Sequence, residues 1–171
     1  MTAPDEHTQH ERAQLRALAE RLAAEAGAIA FAGRRQAGQP PGESGNHIDG
    51  DTKSSSTDVV TEFDRAAEAH IVEQLRRLRP DDAIVGEEGT ADEGTSGYAW
   101  FLDPIDGTTN FVYDQPAWCC SIAVAHDGVM QAAAVFVPPM DEMFTAALDA
   151  GATLNDRPIS TSDETDLAMA L

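Results

Sequence analysis

Ala99-Trp100-Phe101-Leu102-Asp103-Pro104-Ile105-Asp106-Gly107-Thr108-Thr109-Asn110-Phe111 is an apolar run that ends in two carboxylates, a glycine and a pair of hydroxyls. The run Ala99–Leu102 reads as a strand, and the residues after Gly107 as a helix start. In a fully extended chain, positions 103 and 106 point to opposite faces. A turn after Pro104 lets Asp103 and Asp106 converge. The paired acids are hard oxygen ligands for a cation, and the helix start supplies N–H donors for an anion. Taken alone, Asp-Pro-x-Asp-Gly is an ordinary surface turn with a capping aspartate. The apolar strand before it and Thr-Thr-Asn-Phe after it make the stretch far more specific.

Working outward, Ala83-Ile84-Val85-Gly86 is a second short strand, and it too ends in acids, Glu87-Glu88. Adjacent like charges repel, which is easier to tolerate with a cation nearby. Ahead of it, 62–79 reads as a helix with Ala67, Ile71, Leu75 and Leu78 on one face, stopped by Pro80. Asp64 lies at its start, as a cap or as an acid that orients a water with the Thr108 hydroxyl. Asp58–Thr61 is a short extended piece. Residues 33–57 form an aperiodic Gly/Pro/Ser/Asp-rich loop containing Lys53-Ser54-Ser55-Ser56-Thr57-Asp58, a candidate mobile basic lid. Neither phosphate-loop nor EF-hand spacing fits there: Lys53 does not follow Gly50 directly, and position twelve from Asp49 is Val60.

Residues 1–10 read as a polar, disordered leader, and 11–33 as an amphipathic helix carrying Leu15, Leu18, Leu22 and Ala26. Downstream, 120–125, 131–137 and 142–147 read as strands separated by turns at Asp127-Gly128 and Pro138-Pro139. Two helices followed by a largely antiparallel strand series give an α+β fold with helices packed on the sheet, one domain over 11–171. Residues 151–160 continue the pattern, and 166–171 read as an element just beginning, so the chain looks cut in mid-fold.

Composition bounds the function. Eleven Lys and Arg against thirty Asp and Glu give a formal net charge of −19, which argues against an unaided nucleic-acid binder. The adjacent Cys119 and Cys120 read as buried strand residues in a reducing compartment rather than a disulfide. The five histidines show no metal-binding spacing. No apolar run spans a bilayer and no export signal opens the chain, so a cytoplasmic location without membrane contact is the expectation.

Together these residues suggest a metal-dependent phosphatase, and they resemble the inositol monophosphatase family of lithium-sensitive magnesium phosphatases. The likeness runs from about Ala24 to Leu171. It includes Lys53-Ser54-Ser55 with Asp58 and Asp64, Gly86-Glu87-Glu88, the stretch Trp100–Phe111, Ser121-Ile122-Ala123 and Gly151–Asn155. The resemblance implies Mg2+ held by Glu87, Asp103, the Ile105 carbonyl and Asp106. It further implies catalytic roles for Asp64, Glu87 and Thr108, and substrate contacts from Lys53, Gly107 and Thr108. The fold it implies is the first layers of an α/β/α/β/α sugar-phosphatase architecture, without the C-terminal half. The Trp-Asp pair that completes the family's second metal site is missing, since Trp100 precedes Phe101 and Trp118 precedes Cys119. The implied substrate is inositol-1-phosphate or a similar small phosphorylated polyol. Histidinol phosphate, a nucleotide bisphosphate and fructose bisphosphate are alternatives, as is an inactive shortened relative that binds metal or a partner. A homodimer is left open.

Overall fold

A computed structural model of the chain describes residues 6–36, 50–52, 59–87 and 89–169. Helix α1 spans Glu6–Gln36 and α2 spans Glu62–Leu78. Residues 6–10, expected in a disordered leader, belong to α1. Leu15, Ala19, Leu22, Ala23, Ala26 and Ala30 form its buried stripe. Those small side chains let the helix lie close across the sheet. Helix α2 packs beside it through Ala67, Ile71, Val72 and Leu75.

Strands β1 (Gly50–Thr52) and β2 (Val59–Thr61) pair antiparallel, so the segment expected to be loop contains a strand; β2 runs directly into α2. The main sheet holds β3 (Ala83–Gly86), β4 (Ala91–Asp92), β5 (Tyr98–Asp106), β6 (Cys119–His126), β7 (Val129–Val137), β8 (Glu142–Ala147), β9 (Gly151–Leu154) and β10 (Arg157–Ile159). Their spatial order is β10-β9-β8-β7-β6-β5-β3-β4. Every pairing is antiparallel except β3 with β5. That exception matters for function, because parallel neighbours end on the same side of the sheet.

The core lies between the two helices and one sheet face, where Ile84, Trp100, Leu102, Ile122, Val124 and Ala134 are buried. A smaller cluster of Ala30, Ile105, Phe111 and Trp118 closes the end at which β5 finishes. Both tryptophans are thus core residues, as read from sequence. No helix among the described residues is long and apolar enough to cross a membrane.

Candidate functional site

Strand β5 does not turn after Pro104. It continues to Asp106 and converges its acids by a bulge: Asp103 pairs with Ser121 and Asp106 with Cys119, so three steps on β5 match two on β6. The extra residue reverses the side-chain alternation and brings Asp103 and Asp106 to one face. Between them Pro104 and Ile105 are buried, anchoring the bulge from behind. Proline suits this position because it has no ladder hydrogen to lose.

Gly107 follows in the left-handed conformation, with φ 89° and ψ 37°. A methyl group there would stand 2.9 Å from the Ala117 carbonyl oxygen, so only glycine permits the reversal. Helix α3 (Thr108–Val112) is barely more than one turn. It is tied down at both ends. The Thr108 hydroxyl donates to the Ile105 carbonyl at 3.0 Å, and Asn110 Nδ2 donates to the Ala117 carbonyl at 2.6 Å. Buried Arg34, from the end of α1, donates its Nε to the Phe111 carbonyl at 3.0 Å. The Ile105 carbonyl keeps a second lone pair beyond the one Thr108 uses.

Glu87 meets this pair from the parallel neighbour. Its N–H donates to the Leu102 carbonyl at 3.1 Å, extending the β3–β5 register by one residue. Its side chain lies beside Asp103, and the two acids line the same groove. Burial, then the Glu87 charge and hydrogen bond, then the Asp106 charge push the Asp103 carboxyl up to about 7. A like charge this near opposes ionisation of a half-buried carboxyl. One Asp103 oxygen, Oδ1, is buried with no hydrogen-bond partner. Both acids line an open groove of about 290 Å³ with Val85, Phe101, Ser121 and Ala123.

A divalent cation fits this donor set in kind. The orphaned oxygen is a hard ligand, and magnesium takes few carboxylates while retaining waters. The cage is not drawn tight, however: among the described residues, no three His, Cys, Asp or Glu side chains already converge as a metal-binding group.

The remaining expected residues are placed unevenly. Asp64 is buried in the first turn of α2, and its charge reaches Cys120, which also feels Asp103. Lys53 lies outside the described residues, directly after the end of β1. Two neighbours of the site escaped the sequence reading. The Cys119 thiol donates to Asp106 Oδ2 at 3.6 Å and is pushed up to about 12, by burial first and then by Asp106. Glu68, one turn beyond Asp64 on the buried face of α2, stands against Gly86. An acid beside Ala67, Ile71 and Leu75 in the helix stripe was the available signal that Glu68 is buried. For Cys119, strand alternation opposite buried Cys120 was the clue.

The chain is similar to known proteins in sequence and in fold. Over 122 residues the chain is 43% identical to the Nus factor SuhB of Pseudomonas aeruginosa, covering 70% of this chain and 45% of that protein. It is 42% identical over 120 residues to an inositol-1-monophosphatase from Synechocystis, covering 70% of this chain and 42% of the relative. The crystal structure of the extragenic suppressor protein SuhB from Bartonella henselae superposes with a TM-score of 0.77 at 28% identity, covering 88% of this chain and 55% of that one. The chain thus spans about half the length of the curated relatives it matches. Residues 11–171 match the model of the inositol monophosphatase family, and the chain belongs to that family.

Proposed function

We propose that this chain serves the magnesium-dependent hydrolysis of a phosphate monoester of a small polyol, inositol-1-phosphate first. The observation that carries the reading is the placement of Glu87 and Asp103 in one groove at the ends of parallel strands, with Asp106 turned to the same face. Glu87, Asp103, the Ile105 carbonyl and Asp106 would hold Mg2+. When bound, the ion supplies charge neutralisation and an acidified water. Thr108 and Asp64 orient the attacking water, and the Gly107 and Thr108 N–H groups receive the phosphoryl oxygens. Lys53 adds a positive charge from its own segment. The free thiols Cys119 and Cys120 suit a reducing, cytoplasmic setting.

The test is phosphate release from inositol-1-phosphate, measured against Mg2+ concentration. The 171-residue chain is assayed alone and joined to the C-terminal half of the Synechocystis relative. Asp106→Asn is expected to lower magnesium-dependent release by more than the ~10–100-fold typical of a residue that only supports a ligand. Release that ignores magnesium, or survives Asp106→Asn, overturns the assignment.

A second reading follows from the sheet face that no helix among the described residues covers, where Val85 and Phe101 are exposed. In it the chain binds a protein partner without turnover, in keeping with the Nus factor name that several relatives carry. Turnover by the chain alone rules this out. The charge of −19 favours a protein over nucleic acid as such a partner.

A further inference from the structure

We infer that Glu68 is a positioning residue: through Thr90 it holds the turn that presents Glu87 to Asp103, and so sets the affinity of the cation site. The inference rests on the reading of Glu87 as a metal ligand. Glu68 is 5% exposed, among Ala67, Ile71, Val72 and Leu75 on the buried face of α2. An apolar side chain there would pack at no electrostatic cost, whereas a buried carboxylate is expensive unless its hydrogen bonds are made. Here it is used as an acceptor. The Thr90 hydroxyl donates to Glu68 Oε1 at 2.6 Å.

Thr90 is the far end of the turn that starts at Gly86. The Gly86 N–H donates to the Thr90 carbonyl at 2.7 Å, and the Gly89 N–H to the Gly86 carbonyl at 3.4 Å. Glu68 also braces the near end. A methyl group on Gly86 would come within 2.5 Å of Glu68 Oε2, so the carboxylate lies directly against that backbone. Glu87 occupies the second position of this turn, and its own N–H is fixed to Leu102. The helix therefore grips both ends of the segment whose side chain reaches Asp103. Partners that orient a metal ligand typically set affinity by about 10–100-fold when removed. A groove of about 420 Å³ lined by Arg65, Glu68, Val72 and Thr90 runs behind the turn. Without the Thr90–Glu68 bond, the turn has room to move that way.

Binding of Mn2+ alone, read as loss of the free-ion electron paramagnetic resonance signal, tests this without any turnover. Thr90→Val and Glu68→Ala are each expected to weaken Mn2+ binding about tenfold or more, while Thr90→Ser, which keeps the hydroxyl, stays within about twofold of the parent. Circular dichroism melts monitor folding, and the near-isosteric Thr90→Val carries the comparison should Glu68→Ala unfold. Glu87→Gln is the control. If it loses Mn2+ while Thr90→Val binds like the parent, the role of Glu68 is overturned and the metal site stands. If Glu87→Gln binds like the parent, Glu87 is no ligand and both readings fall.

Discussion

Tyr98 directs its hydroxyl to Glu11 of α1, donating to Oε1 at 2.6 Å, and its ring stacks on His126 with centroids 4.3 Å apart. Burial first, and then the hydrogen bond and charge of Glu11, push its pKa up from 10.0 to about 12. The folded chain thus keeps a proton that the unfolded chain releases near 10. The associated stability is complete below pH 10 and is lost as pH climbs through about 12. In a Tyr113→Phe background Tyr98 is the sole tyrosine. Its tyrosinate absorbance is expected to develop with a midpoint about 12, with the melting temperature dropping over the same window. A midpoint at 10 would show that Tyr98 is neither buried nor bonded to Glu11 as described. Nothing in the local sequence marks Tyr98, because its partner lies 87 residues away. That Glu87, Asp103 and Asp106 lie at strand ends was legible, because the apolar runs of β3 and β5 mark those ends. Glu68 was not, since its meaning depends on α2 lying against β3.

Elements were recovered from periodicity wherever one face is apolar: 142–147 coincides with β8, and the second helix differs from α2 by one residue at its end. Two features could not be read that way. The bulge in β5 is a mismatch of register between two strands, so no single strand records it. Strand β1 is three residues long and depends on β2 for its hydrogen bonds. What joins α2 to β5 is also tertiary, and it centres on Asp82. This buried acid accepts from Trp100 Nε1 at 2.8 Å, Ser96 Oγ at 2.7 Å and Arg79 Nε at 2.6 Å. Asp82→Ala strands the buried indole N–H and removes the partner of Arg79. A loss of about 2–4 kcal/mol in urea unfolding is expected, well beyond an exposed ion-pair deletion. A loss under about 1 kcal/mol would mean that water replaces the carboxylate at this junction.

At the scale of the whole fold the sheet is apolar on both sides, and the described helices α1 and α2 cover one of them. Under α1 and α2 lie Ile84, Trp100, Ile122 and Ala134. On the far side, register aligns Val85, Phe101, Ala123, Ala133 and Ala146 across five adjacent strands. Val85 is 45% exposed and Phe101 39%. An antiparallel sheet meant to face water alternates polar with apolar residues, and this row does not. Contiguous apolar surface of this kind binds hydrophobic probes. The chain is therefore expected to enhance the fluorescence of an anilinonaphthalene dye while fully folded, and Val85→Ser/Phe101→Ser to reduce it sharply. Because those side chains are exposed, the double substitution should cost no more than about 1 kcal/mol of stability. Ile122→Ala, one position away in β6 but facing the helices, should cost about 2–5 kcal/mol and leave the dye signal of the folded protein unchanged. The pair of measurements separates the two faces. Equal stability losses, or a dye signal indifferent to Val85 and Phe101, would mean that the far side is packed in solution and that the sheet is covered on both sides.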